Sequence, residues 1–99
     1  MKRIKVIKSE EEFNDPQIIE ALKSLGAELQ DLVGQYVDQK DLEVTVYGKT
    51  QMHGYYIEAY YKGKESGGLL NVDNKKLDNL AQNHGMQVFE HSCDTIEIG

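Results

Sequence analysis

Hydrophobic residues recur at two different spacings along this chain, and these spacings divide it into predicted helices and strands. From Pro16 to Val37 the apolar residues recur every three or four positions, a spacing that predicts one long amphipathic helix. Asp15 is a good N-cap residue and Pro16 suits the first helical position, where proline's missing N–H costs no hydrogen bond. Gly26 lies inside this segment, so a kink or break near it remains an alternative. The apolar seam of the predicted helix consists of Ile18, Leu22, Leu25, Leu29, Leu32 and Tyr36.

A period of two marks the strands. Residues 41–48 and 53–62 both alternate an apolar face with a face rich in tyrosine and glutamate, and the short link between them predicts a hairpin. Residues 3–8 and 86–91 are predicted to be the first and last strands. Residues 95–98 either continue the last strand past a bulge or fold back as a small extra strand.

A second, shorter helix is predicted after the glycine-rich segment 63–68, which we interpret as a loop. Asp73 is the expected N-cap of this helix, and the apolar residues Val72 and Leu77 have the spacing of a hydrophobic staple. Gly85 is expected to end the helix in the left-handed conformation, which glycine adopts without steric cost.

The resulting order of strand, helix, strand, strand, helix, strand is that of the ferredoxin-like split β-α-β-β-α-β fold. We therefore predict an α+β protein, a single domain over residues 1–99, with two helices packed on one face of an antiparallel sheet. The first and third strands are expected to be central. The other face of the sheet is then left open.

Charge and cysteine content exclude several classes of function. The chain has 99 residues with 11 basic and 17 acidic side chains, and its net charge of −6 opposes binding to phosphate backbones and anionic membranes. One cysteine allows no intramolecular disulfide, and the first residues lack the apolar run of an export signal. We expect a soluble cytoplasmic protein of bacterial or phage origin, with no membrane segment.

The acidic residues are concentrated around the predicted long helix. Residues 1–8 carry four basic and no acidic side chains, whereas residues 9–47 carry ten acidic and two basic ones. The outer face of the helix would form an acidic ridge that suits docking on a basic protein surface. Solubility is an equally good explanation of such a ridge. The ridge residues are Glu20, Glu28, Asp31 and Asp38.

The open face of the sheet is the second candidate surface. Alternation places aromatic side chains of three strands on it, and exposed tyrosine and arginine often anchor protein interfaces. Two alternatives stay open: cross-strand tyrosine pairs that only stabilise the sheet, and a second copy of the chain that covers the face in a homodimer. The candidate binding residues are Arg3, Lys5, Tyr47, Tyr56, Tyr60, Phe89 and His91.

Motifs for other chemistry are weak. Residues 53–60 depart from the aromatic motif of the RNA-recognition fold, because isoleucine and glutamate replace an aromatic and an aliphatic residue. His91 and Cys93 are two positions apart, the one pairing that suits nucleophilic catalysis, but a surface histidine beside a structural cysteine is the simpler interpretation. The paired spacing of a zinc site is missing. We expect no metal, no cofactor and no catalysis.

The sequence therefore predicts a small acidic binding protein that acts through protein–protein contacts, as a regulatory or inhibitory module and a homodimer. The alternative is a homodimer with a small-molecule or catalytic site, lined by tyrosines, between two facing sheets. Binding of single-stranded nucleic acid is the second alternative.

Overall fold

The computed structural model describes residues 4–7, 16–50 and 54–99, which form five strands and two α-helices. The elements are β1 (Ile4–Ile7), α1 (Pro16–Val33), β2 (Leu42–Thr50), β3 (Gly54–Tyr61), α2 (Asn74–Asn83), β4 (Val88–His91) and β5 (Thr95–Ile98). Short 3-10 turns precede β2 at Gln39–Asp41 and α2 at Gly68–Asn71. Asp15, the predicted cap of α1, lies outside the described residues, as does Arg3.

The predicted α+β class, ferredoxin-like in its order of elements, is confirmed. Strands β2, β3, β5 and β4 are antiparallel neighbours, and both helices contribute to one core on the same side of the sheet. The core residues of the helices are Leu22, Leu25, Leu29 and Val33 of α1 and Leu77 and Ala81 of α2. Neither helix in the described part of the chain has the length and apolar character needed to cross a bilayer.

The strand order is β1-β2-β3-β5-β4, which corrects the prediction that the first strand is central. β1 lies at the edge and runs parallel to β2, with Val6 in register with Val46. Parallel neighbours need a crossover connection over one face of the sheet, and α1 supplies it. The third strand is central as predicted, because β3 lies between β2 and β5.

The alternation predicted for β2 and β3 is confirmed. Val44 pairs with Ala59 and Val46 with Ile57, and all four side chains are fully buried beneath the helices. The residues between them face the other side of the sheet. A shift of one residue would exchange the two faces, so burial of these four residues fixes the register of the hairpin.

The chain folds back after β4, and the resulting strand β5 lies between β3 and β4. The extra-strand alternative for residues 95–98 is therefore correct. Ile96 pairs with Ala59 and Ile98 with Ile57, and both isoleucines are fully buried. Their burial contributes about 3–6 kcal/mol, which stabilises a four-residue strand in the middle of the sheet.

The ends of the helices follow from a few residues. α1 ends at Val33, four residues before the predicted Val37, and the turn that follows brings Gln39 so close to Gly34 that any side chain there would collide with it. α1 continues without a break through Gly26, which is buried.

The predicted start and end of α2 are confirmed. The Oδ1 of Asp73 accepts hydrogen bonds from the backbone N–H of Lys75 at 2.8 Å and of Lys76 at 3.2 Å. The staple residues on either side of this cap are both buried. After the helix, Gly85 has a φ of 70°, the left-handed conformation expected of it.

Candidate functional site

The sheet face opposite the helices, here called the open face, carries its side chains in rows that cross the strands. Strand pairing places residues of β2, β3, β5 and β4 side by side, so each row combines side chains from distant parts of the sequence. The aromatic row consists of Tyr47, Tyr56 and Phe89. The glutamate row beside it consists of Glu58, Glu97 and Glu90.

The aromatic row is held together by ring contacts. Tyr47 and Tyr56 are directly paired across β2 and β3, and their rings stack with centroids 4.7 Å apart and planes at 11°. Tyr56 meets Phe89 edge to face with centroids 5.8 Å apart. Gly99 leaves room for this contact, since a Cβ there would lie 2.8 Å from the Tyr56 Cβ and 2.9 Å from the Phe89 Cε1. The predicted cross-strand tyrosine pair thus exists within a larger aromatic surface.

A β-bulge in β4 puts two consecutive residues on the open face. Val88 pairs with Ile98 and Glu90 with Glu97, which leaves Phe89 as the extra residue on its strand. The Phe89 ring reaches the aromatic row and is 36% exposed, while Glu90 joins the glutamate row. Without the bulge these two neighbours would point to opposite faces.

His91 lies on the helix side of the sheet, which corrects the prediction that it lies on the open face. The bulge reverses the alternation, so His91 pairs with the core residue Ile96. Its Nδ1 lies 2.8 Å from the Oδ1 of Asn74, and its Nε2 lies 2.7 Å from the carbonyl oxygen of Leu69. The ring therefore connects β4 with the segment that leads into α2.

Cys93 lies exposed between β4 and β5, and its carbonyl oxygen accepts a 2.7 Å hydrogen bond from the Leu69 N–H. Because both ring nitrogens of His91 are engaged by Asn74 and Leu69, the structure does not place His91 to take a proton from the Cys93 thiol. Across residues 4–7, 16–50 and 54–99, no cluster of three His, Cys, Asp or Glu side chains has the arrangement of a metal site.

Glu97 is the electrostatic centre of the glutamate row. It is paired with Glu58 on β3 and with Glu90 on β4. Burial raises the pKa of Glu97 to about 7, with further contributions from a hydrogen bond to Glu58 and from the charges of Glu58 and Glu90. Near neutral pH this row therefore holds a proton that an isolated glutamate would have lost.

The tyrosines beside the row are affected by the same carboxylates. Burial raises the pKa of Tyr47, and the nearby charge of Glu58 adds to the effect. Burial also raises the pKa of Tyr56, followed by the charges of Glu97 and Glu58. Like an ordinary tyrosine, both phenols are protonated at neutral pH, and the Tyr47 hydroxyl donates a long 3.5 Å hydrogen bond to the Oε1 of Glu58.

A third row contains Tyr60, which is 41% exposed and paired with Glu43. The Glu43 Oε2 accepts a 2.9 Å hydrogen bond from the Nζ of Lys62, so this carboxylate has a cation beside it. At the edge of the sheet Lys5 is in register with Thr45, the neighbour of Glu58. The side chain of Lys5 lies outside the described part of the chain.

The acidic ridge is less continuous than predicted. Asp38 lies beyond the end of α1, where it caps the 3-10 turn by accepting a 3.0 Å hydrogen bond from the Lys40 N–H, so its assignment to the helix was wrong. Glu20 lies 4.0 Å from Lys23. Glu28 binds His84 with 2.7 Å between Oε2 and Nε2. Glu20 and Asp38 therefore lie near a lysine and Glu28 contacts a histidine, so at least three of the four ridge carboxylates have a partner within the protein.

Two ridge residues line a shallow groove of about 420 Å³ between the helices. Glu28, Asp31 and Leu32 of α1 and Lys76 and Leu80 of α2 are among the residues that line it, so the lining contains both signs of charge. The remaining lining residues are amides: Gln35, Asn79 and Asn83.

Sequence reasoning missed Glu90 and Glu97, two of the three carboxyl groups of the glutamate row. The outward position of Glu97 could have been predicted, because it lies between Ile96 and Ile98, which are inward residues of a strand. Glu90 had no such signal, since its outward position depends on the bulge at Phe89.

Comparisons with protein-family models, curated proteins and solved structures gave no match to this chain.

Proposed function

We propose that this protein acts by binding a basic protein partner through the open face, as a regulatory or inhibitory module and without catalysis. The observation that carries the proposal is the aromatic row directly beside the glutamate row on one sheet face. Aromatic side chains supply contact area with few rotatable bonds, and they are enriched in interface hot spots. Acidic neighbours select a partner of opposite charge.

The negative charge of the open face argues against a homodimer formed through this face. A second copy placed face to face would bring two glutamate rows together, and like charges within an interface are destabilising. The open face is therefore better suited to a basic partner than to a second copy of itself, and a homodimer would have to use another surface.

Cytoplasmic localisation stays part of the proposal, because a lone exposed cysteine suits a reducing compartment.

The two rival functions have less support. A catalytic or small-molecule site between facing sheets would keep the tyrosines but lose His91, which faces the helices. A nucleic-acid strand would bring its phosphates against Glu58 and Glu90, which repel them, and against Glu97, which repels them when it is ionised.

The test is capture of a partner from an extract of the source organism by tagged protein, measured for face variants and a control. We expect Tyr56→Ala combined with Tyr60→Ala to lose the captured protein. Leu70→Ser should retain it, because Leu70 is 57% exposed in the 3-10 turn before α2 and lies off the open face. Circular dichroism must show that each variant is folded. Equal capture by the double variant and the wild type would refute the proposal.

A further inference from the structure

We propose that the open face binds an arginine side chain of the partner, with the guanidinium group held between the glutamate row and the aromatic row. This inference rests on the proposed function and specifies the chemistry of the partner. The two rows are adjacent because Tyr56 and Glu58 are two residues apart on β3, about 7 Å along the strand. A guanidinium group can therefore contact a tyrosine ring and a carboxylate together.

The carboxyl groups of the row repel one another, and this repulsion is what a cation would relieve. The described groups that act on Glu97 or feel its charge are Glu58 and Tyr56 on β3, Glu90 on β4 and Tyr47 on β2. All of them are acidic or neutral. On the β1 side, the backbone of Lys5 is in register with Thr45, the residue paired with Glu58. In the free protein, a proton on Glu97 reduces the repulsion between Glu58 and Glu97. A cation that enters between these two side chains would reduce the same repulsion in place of the proton.

Arginine fits this site better than lysine for geometric reasons. Its guanidinium group is planar, stacks on aromatic rings and donates two parallel hydrogen bonds to carboxylates. Lysine offers a compact ammonium group that is more strongly hydrated and lacks the planar fork. The stacked pair Tyr47 and Tyr56 therefore favours arginine over lysine at the same net charge.

Binding should also depend on pH. The pKa of Glu97 is raised to about 7. In the free protein its carboxyl group is therefore mostly protonated at pH 6 and mostly ionised at pH 8. A guanidinium group stays charged throughout this range and binds best when Glu97 is ionised. Affinity should therefore rise about tenfold from pH 6 to pH 8.

The experiment is calorimetric titration of the full chain with hexa-arginine and hexa-lysine peptides at pH 6, 7 and 8. We expect hexa-arginine to bind about fivefold more tightly than hexa-lysine. We expect Glu97→Gln to abolish the pH dependence and to hold the affinity near the wild-type value at pH 6. Asp78→Asn is the matched control, because it removes one exposed charge from α2 and should leave the pH dependence intact. Glu90→Gln, at the exposed edge strand, is a second face variant in case Glu97→Gln fails to fold.

Equal binding of the two peptides, together with equal losses in the face variants and in Asp78→Asn, would show only general attraction to an acidic protein and would overturn the inference. Absence of binding would overturn it as well. In either case, partner capture that still requires Tyr56 and Tyr60 would leave the proposed function standing. Capture that is independent of these tyrosines would refute the proposed function, whatever the peptides do.

Discussion

Glu28 on α1 and His84 at the end of α2 form a contact of 2.7 Å between Oε2 and Nε2 that joins the two helices. The Glu28 side chain is 49% exposed and that of His84 22%, so solvent screens the pair and limits its strength. The contact nevertheless gives Glu28 a role inside the fold. A residue that the sequence assigned to a docking ridge thus serves packing between helices.

A double-mutant cycle should detect this contact. Glu28→Gln and His84→Gln should each lower the free energy of unfolding, with a coupling of about 0.5 kcal/mol between them. Urea unfolding of the wild type, both single variants and the double variant measures it. Strictly additive effects would show that the two helices do not depend on this pair.

Charge reversal separates the two candidate surfaces. We expect Glu58→Lys with Glu90→Lys to abolish partner capture, because both residues lie in the glutamate row. Glu20→Lys with Asp31→Lys changes the net charge by the same amount on α1 and should leave capture nearly unchanged. If the helix variant loses the partner and the sheet variant keeps it, the acidic ridge is the docking surface.

Gly99 controls the packing of the aromatic row. Gly99→Ala places a Cβ within 3 Å of both Tyr56 and Phe89, so the Phe89 ring must move. We expect a loss of about 1–2 kcal/mol in the free energy of unfolding and a changed near-ultraviolet circular dichroism signal.

The matched control is Gly85→Ala. Gly85 has a φ of 70°, and within the described part of the chain nothing beyond its chain neighbours lies within 4 Å of an added Cβ, so its substitution costs about 1 kcal/mol through backbone strain alone. The near-ultraviolet signal should then stay unchanged. A Gly99→Ala protein with wild-type stability and spectrum would contradict the aromatic contact.

Glu97 should make stability depend on pH. Its pKa is about 7 in the folded protein against an ordinary value of 4.5, so between these values the folded state holds a proton that the unfolded state has lost. This contribution is present below about pH 4.5 and is lost as pH rises through 7.

Replacement by glutamine removes this titration. Glu97→Gln should therefore be more stable than the wild type at pH 8, by on the order of 1 kcal/mol after solvent screening, and nearly equal to it at pH 4.5. Thermal unfolding across this pH range measures the difference. Parallel stability profiles for the two proteins would contradict the raised pKa of Glu97 in the folded protein.

The elements with strong local patterns were predictable from the sequence. β2, β3 and α2 follow from alternation and from the cap at Asp73, because burial of one face and a local hydrogen bond decide them. The positions of Tyr47 and Tyr56 on one face follow from the same alternation.

What escaped prediction depends on contacts between distant segments. β1 lies at the edge because of where α1 returns the chain, which the sequence of β1 does not encode. The outward Glu90 and inward His91 depend on the bulge at Phe89, since one extra residue reverses the alternation that follows it. The glutamate row could not be recognised before β5 was known to lie beside β3.

Mapping of amide chemical shifts is the most direct test of the central claim that the open face is the binding surface. Hexa-arginine added to isotope-labelled protein at pH 8 should shift the amides of the two rows most strongly: Tyr47, Tyr56, Glu58, Phe89, Glu90 and Glu97. The amides of α1 and α2 should change little. Shifts concentrated along α1, or spread evenly over all acidic surfaces, would contradict the account.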